Sequence, residues 1–161
     1  MKIRIKFENL KYERIFLDFS KKIVNLACEE LKIENHDFYE LSLLIVDDIF
    51  MKKINKEFRE INKSTNVLSF PMLEGKNLKN SNDELDFLIG DIVLSIPKIK
   101  DESKKNNKKF FDHYAHMLLH GFLHLLGYNH DSKTKAKIME KKEINILSRM
   151  KIDNPYVNKF I

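Results

Sequence analysis

Cysteine is nearly absent from this sequence: Cys28 is the single one among 161 residues. One thiol excludes an internal disulfide, and with it the small stapled folds, and it agrees with a reducing compartment. It also argues against a structural zinc site, which usually takes four protein ligands rich in cysteine. Long apolar runs are missing too. No stretch approaches the roughly 20 residues needed to cross a bilayer. The opening MKIRIKF alternates charged and apolar side chains where a signal peptide would carry an apolar core. The expected location is therefore the cytoplasm, with no membrane partner. Internal repeats and low-complexity linkers are absent as well, and a chain of this length is expected to form one domain, 1–161, able to bury a proper core.

What is present is the composition of a globular protein, 43% hydrophobic and 33% charged. Lys and Arg number 29 against 24 Asp and Glu, a net charge of +5, and the sequence pI is about 9.1. A basic surface suits the phosphate backbone of RNA. The joint enrichment in Lys, Asn and Ile, however, is also what a strongly AT-biased genome produces without selection for RNA binding, so charge alone does not assign a partner.

Residues 2 to 7 alternate strictly and predict a half-buried strand. Three-and-four spacing of Ile15, Phe16, Phe19, Ile23, Leu26 and Ala27 predicts a helix from about Glu13 to Leu31, with Cys28 a small filler beside its apolar face rather than a reactive thiol. The apolar run Leu41 to Val46 predicts a buried strand. Asp47 or Asp48 then caps a helix through Ile49, Ile54 and Phe58, a reading preferred over an acid/base pair because a strand-to-helix junction needs a capping acceptor. Val67 to Phe70 is a short strand stopped by Pro71, Leu73 to Glu84 an exposed loop, and Phe87 to Leu94 a strand in which Gly90 marks a bulge or a close backbone approach. Ser95 and Pro97 open a further helix, and the polar run 101–109 is its solvated face or a loop. Asp131 or Ser132 caps a last helix through Ile138, Met139, Ile144 and Leu147, and the tail from Met150 carries no functional signature. Strands and helices are mixed without regular alternation. The expected fold is α+β, one mixed sheet of about four strands with packed helices.

Five of the six histidines fall between His113 and His130. At about 100° per residue, His113, His116, His120 and His124 lie within an arc of roughly 80° on one helix face, while Phe110, Phe111, Tyr114, Leu118, Phe122 and Leu125 mostly fill the other. Gly127 stops the helix, since a residue without Cβ enters the left-handed conformation freely. The turn it permits swings His130 back toward His120 and His124. Two imidazoles four apart and a third from beyond the helix end make the ligand count of a catalytic zinc site, with a fourth position left for water. The plainer alternative is a pair of satisfied surface or core histidines. His113 and His116, one or two turns earlier, fit second-layer or ordinary hydrogen bonds better than ligation. The position after His120 is Gly121, where an H-E-x-x-H metalloprotease carries its glutamate base, so a protease reading lacks its water activator. Gly121 is free to admit a close neighbour instead.

The string His120-Gly121-Phe122-Leu123-His124-Leu125-Leu126-Gly127-Tyr128-Asn129-His130 resembles the H-G-x-L-H-L-x-G-Y-D-H signature of the YbeY family of bacterial rRNA-maturation endoribonucleases. Phe58-Arg59, Thr65 to Pro71 and Gly90-Asp91-Ile92 are similar to the family's other segments in the same order. The resemblance implies a zincin-like arrangement, with a central helix carrying His120, His124 and His130 as ligands of one zinc ion. It implies a metal-dependent hydrolase of single-stranded RNA, acting in 16S rRNA 3′-end maturation and ribosome quality control, with the small subunit or assembly factors as partners. Arg59, otherwise a cation at a helix C-terminus, would face the metal cleft and clamp the scissile phosphate. Asn66 and Asn129 stand where the family usually has Asp, which keeps shape and an acceptor but loses charge. Two other readings of the histidine cluster stay open at this point: a metalloprotease-like hydrolase, and a non-catalytic assembly factor with a structural metal.

Overall fold

The computed structural model describes residues 1–72 and 87–157; the loop expected at Leu73 to Glu84 lies outside them. In chain order the elements are β1 (Lys2–Glu8), α1 (Arg14–Glu30), a short 3₁₀ turn (His36–Phe38), β2 (Tyr39–Val46), α2 (Asp48–Arg59), β3 (Val67–Pro71), β4 (Phe87–Ser95), α3 (Ile96–Lys105), α4 (Phe110–Leu125) and α5 (Lys133–Arg149). The strands form one mixed sheet in the order β1-β2-β4-β3. β1, β2 and β4 run parallel, and β3 pairs antiparallel with β4 at one edge. The expected α+β fold is the observed one. Where the sequence pointed to a strand from Leu41, β2 begins two residues earlier, because Tyr39 and Glu40 already pair with Phe87 and Leu88.

Side-chain alternation divides the core between the two faces of the sheet. Leu41, Leu43, Ile45 and Ile92 join the large cluster with α1, α4 and α5, while Val46, Leu68 and Val93 pack with Met51 of α2. Cys28 is fully buried in the large cluster, and burial pushes its thiol up to about 11, so it is an apolar filler and not a nucleophile.

The junctions follow capping chemistry. Asp47 accepts from the Phe50 amide at 2.8 Å and starts α2. Asp48 instead receives the Ser64 and Ser95 hydroxyls at 2.8 and 2.6 Å, which ties the start of α2 to the end of β4. Ser95 and Ser132 accept from the Lys98 and Lys135 amides and cap α3 and α5.

Helix α4 is the centre of the molecule. It packs on β3 and β4 and is flanked by α1, α3 and α5. Tyr114, Leu118, Leu119, Phe122 and Leu123 are fully buried along it, and each such side chain contributes roughly 1.5–3 kcal/mol by leaving water. Gly121 lets the helix lie close to the sheet: a Cβ there would stand 3.1 Å from Val67 Cγ2 and 3.2 Å from Ile92 Cγ2. The histidine face of α4 is thereby held against the edge strand β3.

Candidate metal centre

The last turns of α4 decide where the histidines point. Gly127 adopts φ +88°, its amide donates to the His124 carbonyl, and the Tyr128 amide donates to the Leu123 carbonyl, both at 3.0 Å. This is the paired closure of a Schellman motif. It turns the chain back and leaves the Tyr128 carbonyl 2.9 Å from His124 Nδ1. His130 then arrives beside the helix, its ring centroid 5.4 Å from that of His120 and 5.0 Å from that of His124. One ring nitrogen from each of His120, His124 and His130 lies within 4.8 Å of the other two.

Hydrogen bonds on the far sides of two rings fix their tautomers. A carbonyl oxygen only accepts, so His124 Nδ1 carries the proton that Tyr128 receives. His120 Nδ1 lies 2.7 Å from a carboxylate oxygen of Glu143 and carries its proton for the same reason. In the neutral rings both Nε2 atoms are then bare acceptors, and they face each other at 3.1 Å. Two lone pairs at that distance repel unless a cation lies between them. Two nitrogens bound to one tetrahedral ion at about 2.0–2.1 Å stand about 3.3 Å apart, so the donor set fits a divalent ion shared with His130. Burial, reinforced by His120, lowers the pKa of His124 and favours the neutral ring that ligation requires.

The open side of the cluster faces a cleft of about 340 Å³ walled by β3, by Met117 of α4 and by the three rings. Arg59 lines the same cleft. The amides of Ser95 and Met72 donate to the carbonyls of Asn66 and Ile89 across the β3–β4 ladder, so by alternation Ser69 turns its carbonyl to the free edge. Arg59, the last residue of α2, reaches over that edge, donates from Nη2 to the Ser69 carbonyl at 3.0 Å and lies 5.4 Å from the Phe70 ring centroid. The structure thus brings all four residues singled out in the sequence to one cleft. His113 and His116 stand apart from the convergent trio: His113 Nε2 pairs with Glu102 at 2.8 Å and His116 Nε2 with the Tyr156 hydroxyl at 3.2 Å.

The sequence model of the family described as Endoribonuclease YbeY matches residues 2–151. The chain belongs to the YbeY family. Among curated relatives, Endoribonuclease YbeY of Bartonella quintana is 42% identical over 144 residues, covering 89% of this chain and 88% of that protein. Endoribonuclease YbeY of Francisella tularensis subsp. holarctica is 35% identical over 162 residues, covering 98% and 95%. The solution structure of a Thermotoga maritima protein shares the fold with a TM-score of 0.58 at 21% identity, covering 92% of this chain and 91% of that one.

Both departures from the YbeY signature now have surroundings. Asn66 Nδ2 donates at 2.9 Å to the Glu102 oxygen that also meets His113. Burial would raise the Glu102 carboxyl, but the hydrogen bonds from His113 and Asn66 outweigh it and lower its pKa. In this chain the amide is the complementary partner, and an aspartate would set two carboxylates against each other. Asn66→Asp is expected to cost about 1–3 kcal/mol through the lost charge-assisted bond, a fall of roughly 2–12 °C in melting temperature. Because the folded-state pKa of Glu102 is depressed, its contribution is present above the unfolded carboxylate range and lost as pH falls through the folded value. Melting curves of both proteins, taken from pH 7 to well below the ordinary carboxylate range, should therefore converge only toward the acid end. Asn129 sits beside His130 with its Oδ1 buried and no hydrogen-bond partner among the described residues.

Two YbeY-chain residues escaped the sequence reading, Glu143 and Tyr156. Glu143 lies on the buried stripe of α5 with Met139, Ile146 and Leu147, and a carboxylate on an apolar stripe was a readable anomaly. Burial alone would raise its pKa, yet contacts with His116, His120 and Tyr156 bring it down to about 2. Tyr156, in a tail that showed no signature, donates its hydroxyl to Glu143. Nothing local in the sequence announces that contact.

Proposed function

We propose that this chain is a zinc-dependent endoribonuclease of single-stranded RNA, one metallohydrolase domain acting in the cytoplasm in 16S rRNA 3′-end maturation and ribosome quality control. The small subunit or its assembly factors are the partners this reading implies. The observation that carries the chemistry is the pair of bare Nε2 atoms 3.1 Å apart, with His130 beside them and Arg59 lining the same cleft. His120, His124 and His130 would hold the ion, and three imidazoles favour zinc. The chemistry zinc supplies when bound is Lewis acidity toward a phosphoryl oxygen and activation of water near neutral pH.

The chain's own residues do the rest. Glu143 and the Tyr128 carbonyl hold the ring protons of His120 and His124 on Nδ1, away from the cleft. Arg59 presents a guanidinium that binds a phosphate in a fork and opposes the charge that builds on it in the transition state. A cleft of about 340 Å³ admits a nucleotide of an extended strand; the net charge of +5 favours its backbone. Gly121 packs against Val67 and Ile92 where a metalloprotease would carry its base, which leaves the protease reading without support.

The test is metal analysis of the purified protein together with cleavage of a single-stranded RNA, with and without chelator. One equivalent of zinc and cleavage that stops with chelator and returns with zinc are expected; undiminished cleavage in chelator, or a chain that needs metal to fold and cuts no RNA, would overturn the reading. Arg59→Lys keeps the charge and loses the fork. Its kcat is expected to fall about 10²-fold with zinc content unchanged.

A further inference from the structure

We propose that Glu143 and Tyr156 act together as positioning residues that set the affinity of the histidine centre for its ion, which makes the segment after α5 a working part of the site. The proposal rests on the metal reading given above. Glu143 is fully buried, and its two oxygens face different partners. Oε1 receives His120 Nδ1–H at 2.7 Å; Oε2 receives the Tyr156 hydroxyl and lies 3.7 Å from His116 Nε2. The Tyr156 hydroxyl in turn lies 3.2 Å from His116 Nε2.

A carboxylate out of water is tolerated only when donors surround it. Here one donor is a ring of the candidate centre and the other comes from the C-terminal turn. Take the tyrosine hydroxyl away and Oε2 loses its closest donor. His116 Nε2 remains 3.7 Å away, and a carboxylate rotating toward it draws Oε1 off His120. The ring of His120 would lose the hydrogen bond that fixes both its orientation and its tautomer. Such outer bonds commonly govern metal affinity by about 10- to 100-fold.

The turn that delivers Tyr156 is itself anchored. Ile152 is buried in the main core, the Pro155 carbonyl accepts from Lys108 Nζ at 2.9 Å, and the Tyr156 amide donates to Asn154 Oδ1 at 2.9 Å. Tyr156 is thus held against Glu143 by contacts independent of the histidines. The cavity of about 390 Å³ beside it, bordered by Met139 and Glu140, is also lined by His120 and His130.

The experiment compares the full-length wild type, Tyr156→Phe and Glu143→Gln by two readouts. Zinc affinity is measured by competition with a chromophoric chelator, and the tautomer of His120 by imidazole ¹⁵N spectra of the metal-free proteins. Tyr156→Phe is expected to weaken zinc binding about tenfold and Glu143→Gln by up to about 100-fold. The Nδ1–H tautomer that dominates in the wild type should become mixed in both. Phenylalanine keeps the ring packing, so that variant decides the matter should Glu143→Gln not fold. Both variants binding zinc within twofold of a wild type that binds it tightly would overturn this proposal and leave the metal reading standing. A wild type that binds no zinc would overturn the metal reading, and this proposal with it.

Discussion

Replacing His124 with alanine is expected to abolish stoichiometric zinc binding at micromolar protein and to lower cleavage of single-stranded RNA by about 10³-fold or more, an increase of about 4 kcal/mol in the barrier. His124 is the right member of the trio for this test. It is half-buried, and among the described residues its hydrogen bond outside the cluster goes to the Tyr128 carbonyl. That carbonyl follows a Schellman closure made by backbone amides alone, so the helix end survives the truncation. The stability lost should stay near the value of one hydrogen bond, about 1 kcal/mol. His120→Ala would be a poorer test, because it leaves the buried Glu143 without one of its donors and threatens the fold by about 3–5 kcal/mol. The measurement is a chelator-competition titration beside single-turnover cleavage and a melting curve of the metal-free protein. Cleavage within tenfold of wild type would remove His124 from the chemistry. Loss of the fold together with loss of metal would make the ion structural.

The histidine trio was legible because its geometry is local. A spacing of four on a helix and a glycine just past its end are set by backbone physics within eleven residues, and the structure delivers the convergence those residues imply. The sheet was legible for a similar reason: alternation in residues 2 to 7 and the apolar run from Leu41 each report one strand's burial. Arg59 is different. Its approach to the cleft depends on Ser69 turning its carbonyl off the free edge of β3, a matter of register between strands that no spacing reveals, and only the family resemblance pointed to it. Asp47 and Asp48 show the limit at single-residue scale. Either can cap a helix, and the choice falls to Asp47 because Ser64 and Ser95, 16 and 47 residues away, engage Asp48. Partners as distant as Asn66 with Glu102 or Tyr156 with Glu143 are fixed by packing, not by pattern.

Gly90→Ala is expected to destabilise the fold by about 3 kcal/mol or more, and to weaken RNA cleavage through Arg59, a residue it does not touch. Gly90 sits in β4 where the ladder with β2 slips, Glu40 pairing with Leu88 but Leu41 with Gly90. Its φ of +152° is one that L side chains rarely adopt. A Cβ there would land on the carbonyl oxygen of Phe70, with Leu125 Cδ2 at 2.8 Å. The leucine can rotate; the carbonyl belongs to β3 and cannot move without the strand. Displacing β3 shifts the Ser69 carbonyl that holds Arg59 and the Val67 side chain that seats Gly121. Backbone strain alone costs about 1–2 kcal/mol, and the clash adds the overpacking penalty of a tight core. Gly127→Ala separates the two contributions, because that glycine also has positive φ but nothing within 4 Å of the new Cβ. It should cost only the strain, a fall of roughly 2–8 °C in melting temperature, against about 6–12 °C or more for Gly90→Ala. Equal melting temperatures in the two variants would mean that β3 yields freely. The wall that carries Arg59 would then be softer than the packing around Gly90 implies.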